Sequence, residues 1–155
     1  MKKYLLVFCA LFTLIFCTYG GFSAHAEKDI DIILNGQTIA CDSPPLIQNN
    51  RTIVPIYSIV TPLGGNAVFD GAMGRVTVTV DGKNIVFTIG SASASVDGIT
   101  KQLDAPASII NDRTMIPVRF LAEELGYRVQ WDGASRAVLI DTPSTIKQIT
   151  DVWVK

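Results

Sequence analysis

Histidine is nearly missing from this sequence. The 155 residues contain one, His25, inside an N-terminal segment with the pattern of a removable leader. A chain without histidine has no Ser-His or Cys-His relay and no zinc site built on imidazole. Cysteine is scarce too. Of three, Cys9 and Cys17 fall in the same segment, which leaves Cys41. A lone cysteine closes no internal disulfide, so the folded part rests on packing. Cys41 ends the run Thr38-Ile39-Ala40, which reads as strand, and free cysteine packs as a small hydrophobe. A basic excess is also lacking. Without Lys2 and Lys3 the chain carries eleven basic against fourteen acidic residues, a net charge of −3. Without basic clusters, that balance argues against nucleic acid and anionic membrane surfaces as partners. Asp29 and Asp31 lack the surrounding ligand spacing of a calcium loop. No acid pair at the spacing of a glycosidase is evident. The composition thus calls for no catalytic residue, metal or cofactor.

What is there begins with the leader. Lys2 and Lys3 precede an uncharged apolar run, Tyr4 to Tyr19, followed by small residues and Ala24-His25-Ala26. That order reads as a secretory signal over residues 1–26, cleaved after Ala26. The run is short for a membrane span of roughly 20 residues, and no basic stop follows it. Cys17 is preceded by Phe16, where a lipid-attachment signal carries a small residue. The expected product starts at Glu27, has no membrane span and is secreted or held at the extracellular cell envelope. Its length suits one domain over residues 27–142, with a tail over 143–155.

The chain then states one pattern twice. "NNRTIVPIYSIVTPLGGNAVFDG" starts at Asn49 and "NDRTMIPVRFLAEELGYRVQWDG" at Asn111, and a shift of 62 residues aligns them without a gap. Asp42, Arg51, Pro55, Gly64 and Asp70 fall on Asp104, Arg113, Pro117, Gly126 and Asp132, and Phe69 meets Trp131. Such density signals a duplication, with copies at about 35–78 and 97–140. Two copies are too few for a solenoid, so the expectation is one domain with internal pseudo-two-fold symmetry, each copy building half of one core.

Each copy reads locally. Asn35-Gly36 and Asp97-Gly98 favour two-residue hairpin turns, which need positive φ at both positions. A second turn falls at Asn49-Asn50 and at Asn111-Asp112. The residues before Pro55 and Pro117 are pushed towards extended backbone, and each proline is expected to open a helix at its first position. Ile56, Ile59, Val60 and Leu63 form one apolar stripe, and Val118, Leu121, Ala122 and Leu125 form the other. Gly64 and Gly126 end them, and Pro62 shortens or kinks the first. Val76, Val78 and Val80 alternate, as do Ile85, Phe87 and Ile89. The fold class this predicts is α+β: antiparallel β-hairpins packed around two short helices.

Several residues invite a functional reading, and each has a plainer one. Trp131 could stack on a sugar, but its parity with Tyr127 and Val129 places it on the apolar face of a strand. Glu123 and Glu124 could form an acid/base pair, but they lie off the helix stripe, and the first copy has Thr61 and Pro62 there. Arg51 and Arg113 each precede an aspartate by nineteen residues, which predicts structural pairs Arg51–Asp70 and Arg113–Asp132. The alternative is an anion site at a helix start left uncapped by Val54 or Ile116, with Arg119 nearby. The sequon at Asn50 has no match in the second copy and reads as chance. The expected structural motif is Arg51, Pro55, Asp70, Arg113, Pro117, Trp131 and Asp132.

With these motifs in view the chain resembles the copper amine oxidase N-terminal-like domain, or stalk domain, of exported bacterial proteins. "RTMIPVRFLAEELG" and "WDG" carry the closer likeness, and the whole covers about Ile32 to Thr142. The resemblance implies export and a module that accompanies enzymes or envelope domains. It implies no oxidase chemistry, because the copper-binding histidines and the tyrosine-derived quinone belong to a separate catalytic domain.

The expected function is therefore a non-enzymatic exported module for interaction or spacing at the cell envelope. The alternative is a protein that binds a small ligand or cell-wall glycan through an exposed polar face. The partner would be a cell-wall polymer or another envelope protein. In the tail, Ile146, Ile149, Val152 and Trp153 sit at helical spacing and could dock on the domain or on a partner.

Overall fold

Five tight turns set the strand register. The computed structural model describes residues 29–144. Within them Asn35-Gly36, Asn49-Asn50, Asp81-Gly82, Asp97-Gly98 and Asn111-Asp112 all have positive φ at both positions. Asn, Asp and Gly tolerate that conformation, and its twist matches that of the flanking strands. The turns at Asp70-Gly71 and Asp132-Gly133 are built differently. Asp70 Oδ1 accepts from the backbone N–H groups of Ala72 at 2.9 Å and Met73 at 3.1 Å. Asp132 Oδ1 does the same for Ala134 at 2.9 Å and Ser135 at 3.4 Å. The carboxylates thus replace a backbone turn bond, and positive φ moves on to Gly74 and Arg136.

The strands are β1 (Asp31–Leu34), β2 (Gln37–Ile39), β3 (Leu46–Gln48) and β4 (Arg51–Pro55), then helix α1 (Ile56–Val60). Next come β5 (Asn66–Asp70), β6 (Arg75–Val80), β7 (Lys83–Thr88), β8 (Ser93–Val96), β9 (Ile99–Gln102), β10 (Ser108–Ile110) and β11 (Arg113–Pro117). Helix α2 (Val118–Glu124), β12 (Arg128–Asp132) and β13 (Ala137–Asp141) follow. They form three sheets in the orders β12-β13-β1-β2, β10-β11-β4-β3 and β5-β6-β7-β8-β9.

This corrects the α+β expectation: among the described residues 50% are strand and 12% helical. The local pattern was read correctly at the helices, but five and seven residues make one or two turns, too little to form a layer. The layers are sheets. Nor are all neighbours antiparallel, since β1 and β13 run parallel with Ile32 beside Val138. The expected pseudo-two-fold symmetry is corrected for the same reason. Strands β6 and β8 are separated by β7, which pairs with both. At the 62-residue offset their matches are β13 and β1, which touch directly. Among the described residues β7 has no match, one sheet has five strands and the other four, and the duplication read from the sequence stays an inference from the aligned residues.

The two proline segments meet at the centre. β4 and β11 pair antiparallel, with Val54 opposite Ile116 and Pro55 opposite Met115. Each proline is the last strand residue and the N-cap of its helix, with extended backbone at φ −60° and −64°. The helices thus begin one residue later than expected, at Ile56 and Val118, because the proline still belongs to a strand pair. α1 is the shorter helix, as Pro62 requires. Gly64 and Gly126 have φ of 71° and 78° and end the helical turns.

One face of the central pair enters the main core. Val54, Ile116, Ile56, Leu121, Ile85 and Phe87 are fully buried there, and the Phe87 ring meets Phe120 edge-on with centroids 5.9 Å apart. Ile53, Met115 and Ala105 form a second small cluster. At about 25 cal/mol per Å² this burial is the main stabilising term. Among the described residues no helix is long and apolar enough to cross a membrane.

Candidate functional site: a groove beside Arg51

The arginines do not pair as expected. Arg51 Nε donates to Asp104 Oδ2 at 2.7 Å, and Arg113 Nε donates to Asp42 Oδ2. Each arginine thus reaches into the other half of the chain, across 53 and 71 residues. The predicted partners Asp70 and Asp132 spend their oxygens on the turns that follow them, and Asp132 Oδ2 also accepts from Ser135 Oγ at 2.6 Å. The reason is the β4–β11 pairing, which carries each arginine to the loop before the opposite hairpin. Asp42 and Asp104 do fall on one another at the 62-residue shift, so the signal was visible, but the repeated nineteen-residue spacing favoured the wrong aspartate.

Trp131 is the second correction. It was expected in the core and is 42% exposed, as Phe69 is 39% exposed. The parity was right: Tyr127 is buried, Val129 half-buried and Trp131 exposed along one face of β12. The strand lies at a sheet edge and runs off the core, so the far end of its apolar face meets solvent. The ring edge lies over Gly133, where a Cβ would make ordinary contact with Trp131 Nε1 at 3.5 Å.

The exposed indole lines a groove of about 370 Å³ whose walls include Asn50, Arg51, Arg119, Val129 and Gln130. No acidic residue lines it. A smaller hollow of about 210 Å³ shares Arg51 and Arg119 and continues past Lys101, Asp104, Glu123 and Glu124. β4 supplies Arg51, α2 supplies Arg119 and β12 supplies Trp131, and α2 packs on both strands.

Of the three carboxylates of the smaller hollow, Asp104 and Glu124 are hydrogen-bonded. Glu124 accepts from Lys101 Nζ at 2.6 Å, and its backbone carbonyl accepts from Lys83 Nζ. Glu123 faces Arg119 at 4.0 Å. Elsewhere, Tyr127 donates its hydroxyl to Asp81 Oδ2 at 3.2 Å, a contact the sequence did not suggest. Burial raises the Tyr127 pKa above the usual phenol value, and the Asp81 charge adds to this. Burial likewise raises the Cys41 thiol, which opposes thiolate reactivity. Pro55 and Pro117 are buried at the helix starts. Among the described residues no group of three His, Cys, Asp or Glu could hold a metal ion. The leader and all of the tail except Pro143 and Ser144 lie outside the described residues.

Two short uncapped helices wedged among three sheets, linked by Arg–Asp pairs, define a scaffold module with a mixed polar and aromatic groove. Copper amine oxidase N-terminal domain is the family whose sequence model matches, over residues 33–140, well over half of the chain. The chain belongs to this family, a non-catalytic, stalk-type domain. Comparison with curated proteins gave no match.

Proposed function

We propose that this chain is an exported, non-enzymatic module that holds a partner at the cell envelope. The observation that carries the reading is the state of its carboxylates. Of the pair offered for acid/base work, Glu124 is tied to Lys101 at 2.6 Å, and Glu123 is exposed, with the Arg119 guanidinium 4.0 Å away. Catalysis needs groups whose environments set them apart, and ion-paired side chains on a helix flank serve the scaffold instead. Export rests on the leader, with the product starting at Glu27. The partner is a wall polymer or another envelope protein.

The test incubates the purified chain from Glu27 with isolated envelope fractions. Co-sedimentation is measured beside amine oxidation with added copper and beside sugar or peptide release from wall. Retention on the envelope without turnover is the expected result. Turnover that Glu123→Gln or Glu124→Gln abolishes, with thermal unfolding unchanged, overturns the reading. N-terminal sequencing of secreted protein checks the cleavage point, and a product retaining Cys17 contradicts it.

A further inference from the structure

We infer that the groove beside Arg51 binds an acidic glycan, a pyranose chain carrying carboxylates. The inference rests on the reading of the chain as an envelope-binding module and names what the module would hold. Three observations support it.

The first is the exposed indole at the end of β12, with half-buried Val129 beside it in the groove. An aromatic face carries negative charge density. The C–H face of a pyranose is apolar and weakly positive, so it complements a flat indole without demanding a deep cavity. The second is the pair of guanidinium groups. Arg51 is held by Asp104 at 2.7 Å and by the Asn50 carbonyl at 3.1 Å, so its fork is ordered before any ligand arrives. Arg119 meets Glu123 at 4.0 Å, too far for a hydrogen bond, which leaves its donors able to take a carboxylate bidentately. Asp104 and Glu123, the carboxylates beside these arginines, line the adjoining hollow and not the groove, and charges beyond about 8–10 Å are screened. The third is the contrast with the Arg113 side. At the 62-residue offset Asn50, Arg119 and Trp131 are matched by Asp112, Tyr57 and Phe69. That side keeps aromatic surface but has a carboxylate where the groove has an amide, and no second arginine.

Other ligands use only part of the groove. A neutral glycan leaves the Arg119 donors without a charged partner in the groove. An acidic peptide satisfies the arginines and leaves the indole without a flat apolar partner. Two sources share the proposed chemistry, a uronic acid polysaccharide and the lactyl-bearing amino sugar of bacterial wall, and the test separates them.

The protein from Glu27 carries Trp153→Phe, so that Trp131 is its one indole. Its fluorescence is titrated with oligogalacturonate and with a disaccharide containing N-acetylmuramic acid. Chitotetraose serves as the neutral sugar and oligoglutamate as the acidic peptide. Saturable binding of at least one acidic sugar is expected, with chitotetraose and oligoglutamate weaker by about tenfold or more. Whichever acidic sugar binds identifies the source. By calorimetry, Arg119→Ala and Trp131→Ala should each weaken binding about tenfold or more, as loss of a charged hydrogen bond or a stacking face does, and Arg113→Ala should leave it unchanged. Acidic sugars that bind no better than the other two probes overturn the inference. So does undiminished binding by both variants with thermal unfolding preserved. The double variant Arg119→Ala, Trp131→Ala is also taken through the envelope sedimentation. If it sediments as the unmodified chain does, the groove assignment fails and the envelope reading stands. If the unmodified chain binds the soluble sugar but not the envelope, the groove stands and the envelope reading fails.

Discussion

The Arg51 and Arg113 sides of the molecule share a frame and differ in what the frame presents. On one side β4, α2 and β12 come together, and on the other β11, α1 and β5. Both have a buried proline at the strand end, an uncapped helix start, an arginine crossing to a distant aspartate and an aspartate that builds a turn. The differences lie where side chains leave the frame: Arg119 against Tyr57, Gln130 against Val68, Trp131 against Phe69 and Asn50 against Asp112. A scaffold position must satisfy packing or a backbone hydrogen bond, so few residues serve. An exposed position on the same scaffold is free to change, and here one side has an additional cation while the other has more apolar surface. The sheets differ as well, because β7 widens one of them and holds apart the two strands whose matches touch in the other.

Breaking the shared centre should have the largest effect. Ile116→Ala removes a fully buried side chain opposite Val54 and should lower stability by about 3 kcal/mol, with Val54→Ala costing somewhat less. Urea unfolding at constant m-value checks this. A cost under ~1 kcal/mol for both would show that the two sides do not share one core.

The next effect is confined to one side. Gly65 occupies the position matched by Tyr127. A Cβ there would lie 2.4 Å from Val80 Cγ2 and 2.8 Å from the Thr79 carbonyl oxygen. Gly65→Ala should therefore destabilise by about 2 kcal/mol through overpacking against backbone. A melting temperature equal to that of the unmodified chain would refute the close approach.

Tyr127 supplies the pH arm of the comparison. Its folded pKa is raised, so the folded state holds the phenolic proton more tightly than the unfolded chain does. Its contribution is complete below the unfolded value of about 10 and is lost as pH rises from there through the folded value. Tyr127→Phe should flatten the stability profile in that alkaline window and cost about 1 kcal/mol at neutral pH from the lost bond to Asp81. A profile that falls identically in both proteins above pH 10 would assign the loss to other groups.

The smallest effects belong to the arginines. The side chains of Arg51 and Asp104 are 38% and 62% exposed, and those of Arg113 and Asp42 are 42% and 47% exposed. Solvent screens such pairs, so each arginine-to-alanine change should cost about 0.5 kcal/mol or less. A double-mutant cycle with Asp104→Ala or Asp42→Ala measures the coupling. Coupling above ~1.5 kcal/mol for either pair would mark it as a structural tie rather than a surface contact.

Much of the fold was legible residue by residue. Asn35-Gly36 and Asp97-Gly98 announced their turns because few residues accept positive φ twice in succession. Val76 to Val80 announced a half-buried strand by alternation, and Pro62 announced the shorter helix by its missing N–H. Less of the site was legible. The parity of Trp131 placed it on the right face of β12, yet parity carries no information about how far the core extends along that face. The nineteen-residue spacing repeated in both copies pointed to Asp70 and Asp132 as arginine partners, but an aspartate followed by Gly-Ala has a nearer donor in its own turn.

What the sequence determined by itself is therefore the set of local conformations: which residues turn, which extend, where each helix stops and which side of a strand is apolar. These follow from φ preferences and from contacts within a few residues. Only the tertiary structure decided that β1 lies parallel to β13, that β7 enters one sheet alone, that Arg51 meets Asp104 and that Trp131 reaches solvent beside Arg119. Those outcomes depend on which strand comes to lie next to which across 50 residues or more. Many pairings satisfy the same local preferences, and burial of Val54, Ile116 and Phe87 in one shared core selects among them.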